Sequence, residues 1–254
     1  SGSSLYLGSP GDNSFTGSGN ITCNFDGGMW SDGTLRFNSS GDLSLLPYSG
    51  IFRGTVWVKS GNIGSNLDDV VIGAVGNTSI INLNDNFSVL GDVSIYGGEV
   101  NLNGSINKTN GADSVLTITS TGELNLNAAG SINSSSATSK MDVNLYGNCI
   151  NLRGDIQKTN GGDSTVTASA IGTLWAESGA SIVNSSPIGK LNVNLVGKSG
   201  GAVGTIGWGI YMDGTQITTN GGNITLGGGG VNGYGEAGYA YGWERYGIEL
   251  KNST

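Results

Sequence analysis

Asp68 and Asp69 are adjacent carboxylates, the kind of pair that shares general-acid and general-base work at a glycosidic bond. They find little help in this chain. It contains no His, which removes the commonest acid–base catalyst and zinc ligand. A Ser-His-Asp or Cys-His mechanism is therefore excluded within it. Arg36, Arg53, Arg153 and Arg245 are scattered, and none sits in an acidic cluster that could hold calcium beside an Arg base. The pair Lys108 and Asp113 recurs as Lys158 and Asp163. This reads either as a repeating ligand or Ca²⁺ strip or as turn chemistry. Asn110-Gly111 and Asn160-Gly161 are turn dipeptides, and an Asp beside them satisfies turn N–H groups. The turn reading fits better. Cys23 and Cys149 lie far apart in sequence, and a disulfide between them is left open. No catalytic residue, no metal site and no cofactor is expected.

Binding chemistry is more visible. Seven of the 19 aromatic residues fall between Trp208 and Tyr246. Four consecutive glycines, 227–230, precede a stretch too long and too Gly-rich for an ordinary turn. The candidate receptor-binding residues are Trp208, Tyr211, Tyr234, Tyr239, Tyr241, Trp243, Glu244, Arg245 and Tyr246. Tyr and Trp give rigid amphipathic contact area, and Glu and Arg give directed hydrogen bonds. The stretch should protrude, as functional loops on rigid scaffolds do. The competing reading is a loop that folds back over the flank with its own aromatics. A weaker candidate spans Met29-Trp30 to Trp57, with Phe37, Tyr48 and Phe52. Ten Asn-x-Ser/Thr sequons, at Asn20, Asn38, Asn77, Asn86, Asn103, Asn107, Asn133, Asn184, Asn223 and Asn252, arise largely from composition. Thr117-Ile-Thr119 and Thr167-Ala-Ser169 imitate an ice-binding array only weakly, because Thr does not persist at successive positions.

The elements that must position these residues show in a repeat. Residues 104–147 align without gaps on 154–197, an offset of 50, with 20 identities in 44 positions. A small residue, a polar residue and Ile recur at Gly104, Gly130, Gly154, Ala180 and Gly204, spaced by 26, 24, 26 and 24. The elementary unit is therefore about 25 residues, in long and short forms. Inside it the period is two, as in Leu124-Asn-Leu126-Asn and Leu191-Asn-Val193-Asn-Leu195, which predicts short strands with one face inward. No stretch carries a helical apolar stripe. Three strands and three turns fit in such a unit. One unit cannot bury its own apolar face, but stacked units can. The predicted fold is all-β, a parallel β-helix. A propeller blade would need ~40–50 residues, and the half-repeat argues against it.

One domain is expected over 5–254. Residues 5–103 should form irregular coils with longer loops and extra antiparallel strands. Residues 104–203 form the double repeat, and 204–254 the coils with the aromatic loop. Ser1-Gly2-Ser3-Ser4 reads as a tag scar, and the stop at Lys251–Thr254, in mid-alternation, reads as a fragment edge. Gly is 47 of 254 residues, against a usual ~7%, without the Gly-X-Y period and proline of collagen. A net charge of −8 disfavours nucleic acid and anionic membranes as partners. No apolar run approaches the ~20 residues of a membrane-spanning helix.

Three stretches carry a family resemblance: Gly91-Asp-Val-Ser-Ile-Tyr-Gly-Gly-Glu-Val-Asn-Leu-Asn-Gly-Ser-Ile106, Gly209-Ile-Tyr-Met-Asp-Gly-Thr-Gln-Ile-Thr-Thr-Asn-Gly-Gly-Asn-Ile-Thr-Leu-Gly-Gly-Gly-Gly230 and Tyr246-Gly-Ile-Glu-Leu-Lys-Asn-Ser-Thr254. They resemble coils of filamentous-haemagglutinin-type exoproteins, the large secreted partners of two-partner secretion systems. The similarity covers about residues 90–254 and lies in composition and alternation. It implies a right-handed parallel β-helix within a long, secreted fibre on a Gram-negative cell surface. It further implies adhesion to host cells, haemagglutination or contact-dependent growth inhibition, with virulence as the setting. The implied partners are a cell-surface receptor, glycan or protein, and an outer-membrane secretion partner for the full-length protein. The fragment itself is expected to be monomeric. The family's N-terminal secretion domain has no match here. The alternatives are a pure spacer and a carbohydrate-active β-helix enzyme, which would need a convergent Asp/Glu/Arg cluster in a groove.

Overall fold

Branched apolar residues alternating with Asn, Ser and Thr make half-buried strands. Along Val93–Gly97 and Met141–Gly147, buried and more exposed positions alternate residue by residue. The computed structural model describes strands at 5–7, 13–17, 21–24, 29–31, 35–39, 43–46, 56–58 and 63–67, nearly all of 69–198, and then 208–230, 233–234 and 246–254. No helix occurs among the described residues.

Apart from Gly233–Tyr234, the strands fall on three faces in rotation. The first face includes Glu99–Leu102, Glu123–Leu126, Cys149–Leu152, Leu174–Ala176, Trp208–Asp213 and Tyr246–Lys251. The second includes Ser105–Lys108, Ser131–Ser134, Asp155–Lys158, Ser181–Asn184 and Gln216–Thr218. The third includes Ser114–Ser120, Met141–Gly147, Ser164–Ala170, Leu191–Lys198 and Ile224–Gly230. One strand from each face makes a coil, and the described residues contain nine coils and the first strand of a tenth. The fold is a parallel β-helix.

Register follows the repeat. Ile106 lies beside Ile132, Ile132 beside Ile156 and Ile156 beside Ile182, steps of 26, 24 and 26 residues. The next step departs from the expected Gly204 unit. Ile182 pairs with Ile217, 35 residues on, so Thr215-Gln216-Ile217 fills the place assigned to Gly204-x-Ile206. The insertion that displaces it lies between Lys198 and Trp208. The early strands also differ from expectation. From Leu5 to Leu67 the described pairings are parallel, and the antiparallel pair among the described residues is Gly229–Gly230 with Gly233–Tyr234.

The core is a set of aligned apolar columns. On the first face Val100, Leu124, Ile150, Leu174 and Ile210 stack in register, each at most 1% exposed. Burying one such side chain contributes ~1.5–3 kcal/mol. At the entrance to the third face, carboxylates tie coil to coil. Asp92 Oδ1 accepts the Val115 N–H at 2.8 Å, and Asp142 Oδ1 accepts that of Thr165 at 2.8 Å. Asp113 and Asp163 act likewise on the Lys140 and Lys190 N–H groups, at 3.0 and 2.8 Å. Lys108 and Lys158 occupy one column with Ser134 between them, as the repeat predicts, but both are buried. Lys108 Nζ donates to the Leu90 and Asn110 carbonyls at 2.6 and 2.9 Å. These residues staple turns and coils together and do not form an outer ligand strip.

Cys23 and Cys149 are both free thiols. Cys23 belongs to the first coil and Cys149 to the seventh, a separation of roughly 29 Å at ~4.8 Å per coil. A disulfide needs Cα atoms within ~7 Å. Burial raises the Cys23 thiol pKa above its ordinary value.

Candidate binding surface

The outer side of the first face carries two parallel columns. In one, Asn82, Asn101, Asn125 and Asn151 lie in register. Each amide donates back to the preceding one: Asn101 Nδ2 to Asn82 Oδ1 at 2.9 Å, Asn125 to Asn101 at 2.8 Å and Asn151 to Asn125 at 2.6 Å. In the other, Asn127 donates to Asn103 and Asn103 to Asn84, both at 2.7 Å. The first ladder ends where the residue type changes. Asn151 is followed in register by Trp175, Trp175 by Tyr211 and Tyr211 by Glu249. Beyond the other end the same register column holds Trp57, and Trp30 in turn lies beside Tyr6.

Trp175 and Tyr211 are half-buried, with ring centroids 4.9 Å apart and planes tilted by 50°. The second column supplies charges beside them. Arg153 Nε and Nη2 grip both carboxylate oxygens of Glu177 at 3.0 and 3.1 Å. The guanidinium hydrogen bond holds the Glu177 carboxyl below its ordinary pKa. The Tyr211 hydroxyl donates to Asp213 Oδ2 at 3.3 Å. Desolvation first, and then the Asp213 charge, push its phenol pKa upward. Lys251 Nζ lies 3.9 Å from Asp213 Oδ2.

Of the residues expected to bind a receptor, three share this face. Trp208 and Tyr246 are register partners, and Tyr211 lies further along the Trp208 strand. Tyr234 instead joins the third face, opposite Gly229. Tyr239, Tyr241, Trp243, Glu244 and Arg245 lie outside the described residues, as do Tyr48 and Phe52 of the weaker candidate. The alternation already placed Asn151 among outward asparagines able to form amide ladders, but sequence reasoning missed Trp175, Arg153 and Glu177 as site residues. The signal was present in the repeat, where Trp175 takes the place of Asn125 and Glu177 that of Asn127.

The hydrolase reading gains nothing from the geometry. Asp69 Oδ1 accepts the Asp92 N–H at 2.6 Å, a coil-to-coil bond, and Asp68 lies outside the described residues. Among the described residues no three Asp, Glu or Cys side chains cluster as a metal site would require. Thr117, Asn144, Thr167 and Asn194 succeed one another in register, so threonine alternates with asparagine across the third face. Comparison with protein-family models, with curated proteins and with solved structures finds no match to this chain.

Proposed function

We propose that this chain is a non-enzymatic segment of a large secreted bacterial surface exoprotein. It builds a rigid length of β-helical fibre and contacts a receptor on a host cell or a neighbouring bacterium. The observation behind this reading is the parallel register that runs from the first coil to the tenth strand of the first face. Continuous backbone pairing along one axis makes a stiff rod, and inter-coil amide ladders reinforce it. Such a rod projects a contact surface away from the cell that carries it. The likeness to filamentous-haemagglutinin-type coils supplies the setting: export through an outer-membrane partner, and display on a Gram-negative surface.

The test is binding of the labelled chain to panels of host cells and bacterial strains, beside a chain carrying Tyr239→Ala, Tyr241→Ala and Trp243→Ala. Saturable binding by the parent, lost in the folded triple variant, is expected. Binding unchanged in that variant would remove the aromatic segment as the contact. No saturable binding to any cell would leave a spacer.

A further inference from the structure

We propose that Trp175 and Tyr211, with the end of the asparagine ladder at Asn151, form a binding site for a neutral glycan laid along the coil axis. The inference deepens the receptor reading by naming a ligand class and a second place on the chain where it binds.

Three observations carry it. The first is the ladder's direction. Each rung runs from the Nδ2 of one amide to the Oδ1 of the amide one coil nearer the N-terminus. Asn151 is the last member: its register neighbour on the next coil is Trp175, so among the described residues no further ladder amide donates to its Oδ1. An acceptor at the end of a chain of aligned hydrogen bonds is polarised by those behind it. It is matched to a sugar hydroxyl.

The second is the aromatic step. Trp175 and Tyr211 occupy successive coils on the outer side of the face, half-buried and tilted by 50°. Coils are spaced by ~4.8 Å, close to the length of one pyranose unit. Successive sugar rings can rest their C–H faces against successive aromatic side chains.

The third is charge. Among the described residues, the charged side chains around the step are Arg153, Glu177, Asp213, Glu249 and Lys251, three acidic and two basic. Arg153 is already engaged by Glu177 at both oxygens, and Lys251 faces Asp213. Among the described residues no surplus positive charge stands beside the step for a sulfate, a uronate or a sialic acid. Amides, carboxylates and guanidinium N–H groups fixed in place do suit hydroxyls. A protein partner would favour a desolvated apolar pocket at the centre of the contact. The side chains in register before Trp175 are instead Asn101, Asn125 and Asn151.

The experiment is an array of neutral oligosaccharides ending in glucose, galactose, mannose or N-acetylglucosamine, with sialylated and sulfated arms alongside. Hits are titrated by tryptophan fluorescence. The chief variant is Trp175→Asn. Asparagine is the residue at the equivalent position of the preceding repeat, Asn125, so the ladder continues and the fold is kept while the platform is lost. Tyr211→Ala removes the second ring, and Trp175→Phe keeps an aromatic surface. Neutral oligosaccharides should bind saturably. Trp175→Asn and Tyr211→Ala should each weaken binding about tenfold, and Trp175→Phe far less. The proposal is overturned if no neutral oligosaccharide binds, if both ring-removing variants bind as the parent does, or if only sialylated or sulfated arms are retained. The array contains no cells. Cell binding that persists without glycan recognition would sink this inference alone, and glycan recognition without cell binding would sink the receptor reading alone.

Discussion

Lys158 is only 3% exposed, and its Nζ donates to the carbonyls of Asn160 and Gly161 at 2.7 and 2.9 Å. There an ammonium that loses its hydration meets turn carbonyls that need donors, those of Asn160 and Gly161 and, at 3.5 Å, that of Ile188. Burial lowers the Lys158 pKa below its ordinary 10.5, against a smaller upward pull from Asp163. Its folded pKa thus lies below its unfolded one, so the unfolded chain binds the proton more tightly. Stability should therefore rise with pH between the lowered value and 10.5. Lys158→Met should remove that rise and leave the carbonyls without their donor, at a cost of about 1–3 kcal/mol near neutral pH. Denaturant unfolding across that range checks both, and equal pH slopes in the two chains would contradict the assignment. The sequence showed Lys158 and Asp163 as a repeated pair but not which of them is inside. Alternation places Lys158 on the core side of its strand, and only a turn rich in carbonyls makes that tolerable. Asn184 teaches the same lesson. It reads as a glycosylation sequon, yet it is 3% exposed and donates to the Gly189 and Thr219 carbonyls.

At the scale of the strand, the outer amides do what apolar columns do inside: they reward one register. A slip by one residue would bring Asn125 opposite Ile150 and forfeit every rung. Asn125 is an inner member of the ladder, 8% exposed and bonded on both sides. Asn125→Ala should cost about 1–3 kcal/mol, because the Asn101 carbonyl oxygen and the Asn151 amide each lose a partner in a partly dry setting. Thermal and denaturant unfolding measure it. A change under ~0.5 kcal/mol would mean that water replaces the rungs freely. Period-two alternation made these strands legible, because the inward and outward sets differ so plainly in type. The aromatic step was harder to see. The aromatics are dense near the C-terminus, whereas Trp175 stands alone in sequence. It gains Tyr211 as a neighbour only through the coil register, 36 residues away.

For the whole molecule, the coil length is the quantity that sequence reveals best and insertions disguise. Regular steps of 24 and 26 residues stand out between Val100 and Leu174, where strand succeeds strand with short turns. The steps then lengthen to 36 from Leu174 to Ile210 and to 38 from Ile210 to Ile248. Both insertions enter where the chain passes from the third face to the first, so the two longest departures from the repeat open at the same corner. The register is kept across them, and the pairs Leu174–Ile210 and Ile210–Ile248 close normally. The parallel register of the first face is therefore independent of the length of these connections. Removing residues 232–244 would return the last step to 25 residues. Loop length enters stability only logarithmically, and a shorter connection slightly favours closure. The shortened chain should keep a single cooperative unfolding transition, with Tm within about 4 °C of the parent. It should also separate two surfaces. Cell contact through Tyr239, Tyr241 and Trp243 would vanish with the segment, whereas a glycan held by Trp175 and Tyr211 would still bind. Joint loss of both in a folded chain would mean that the insertion and the aromatic step form one site.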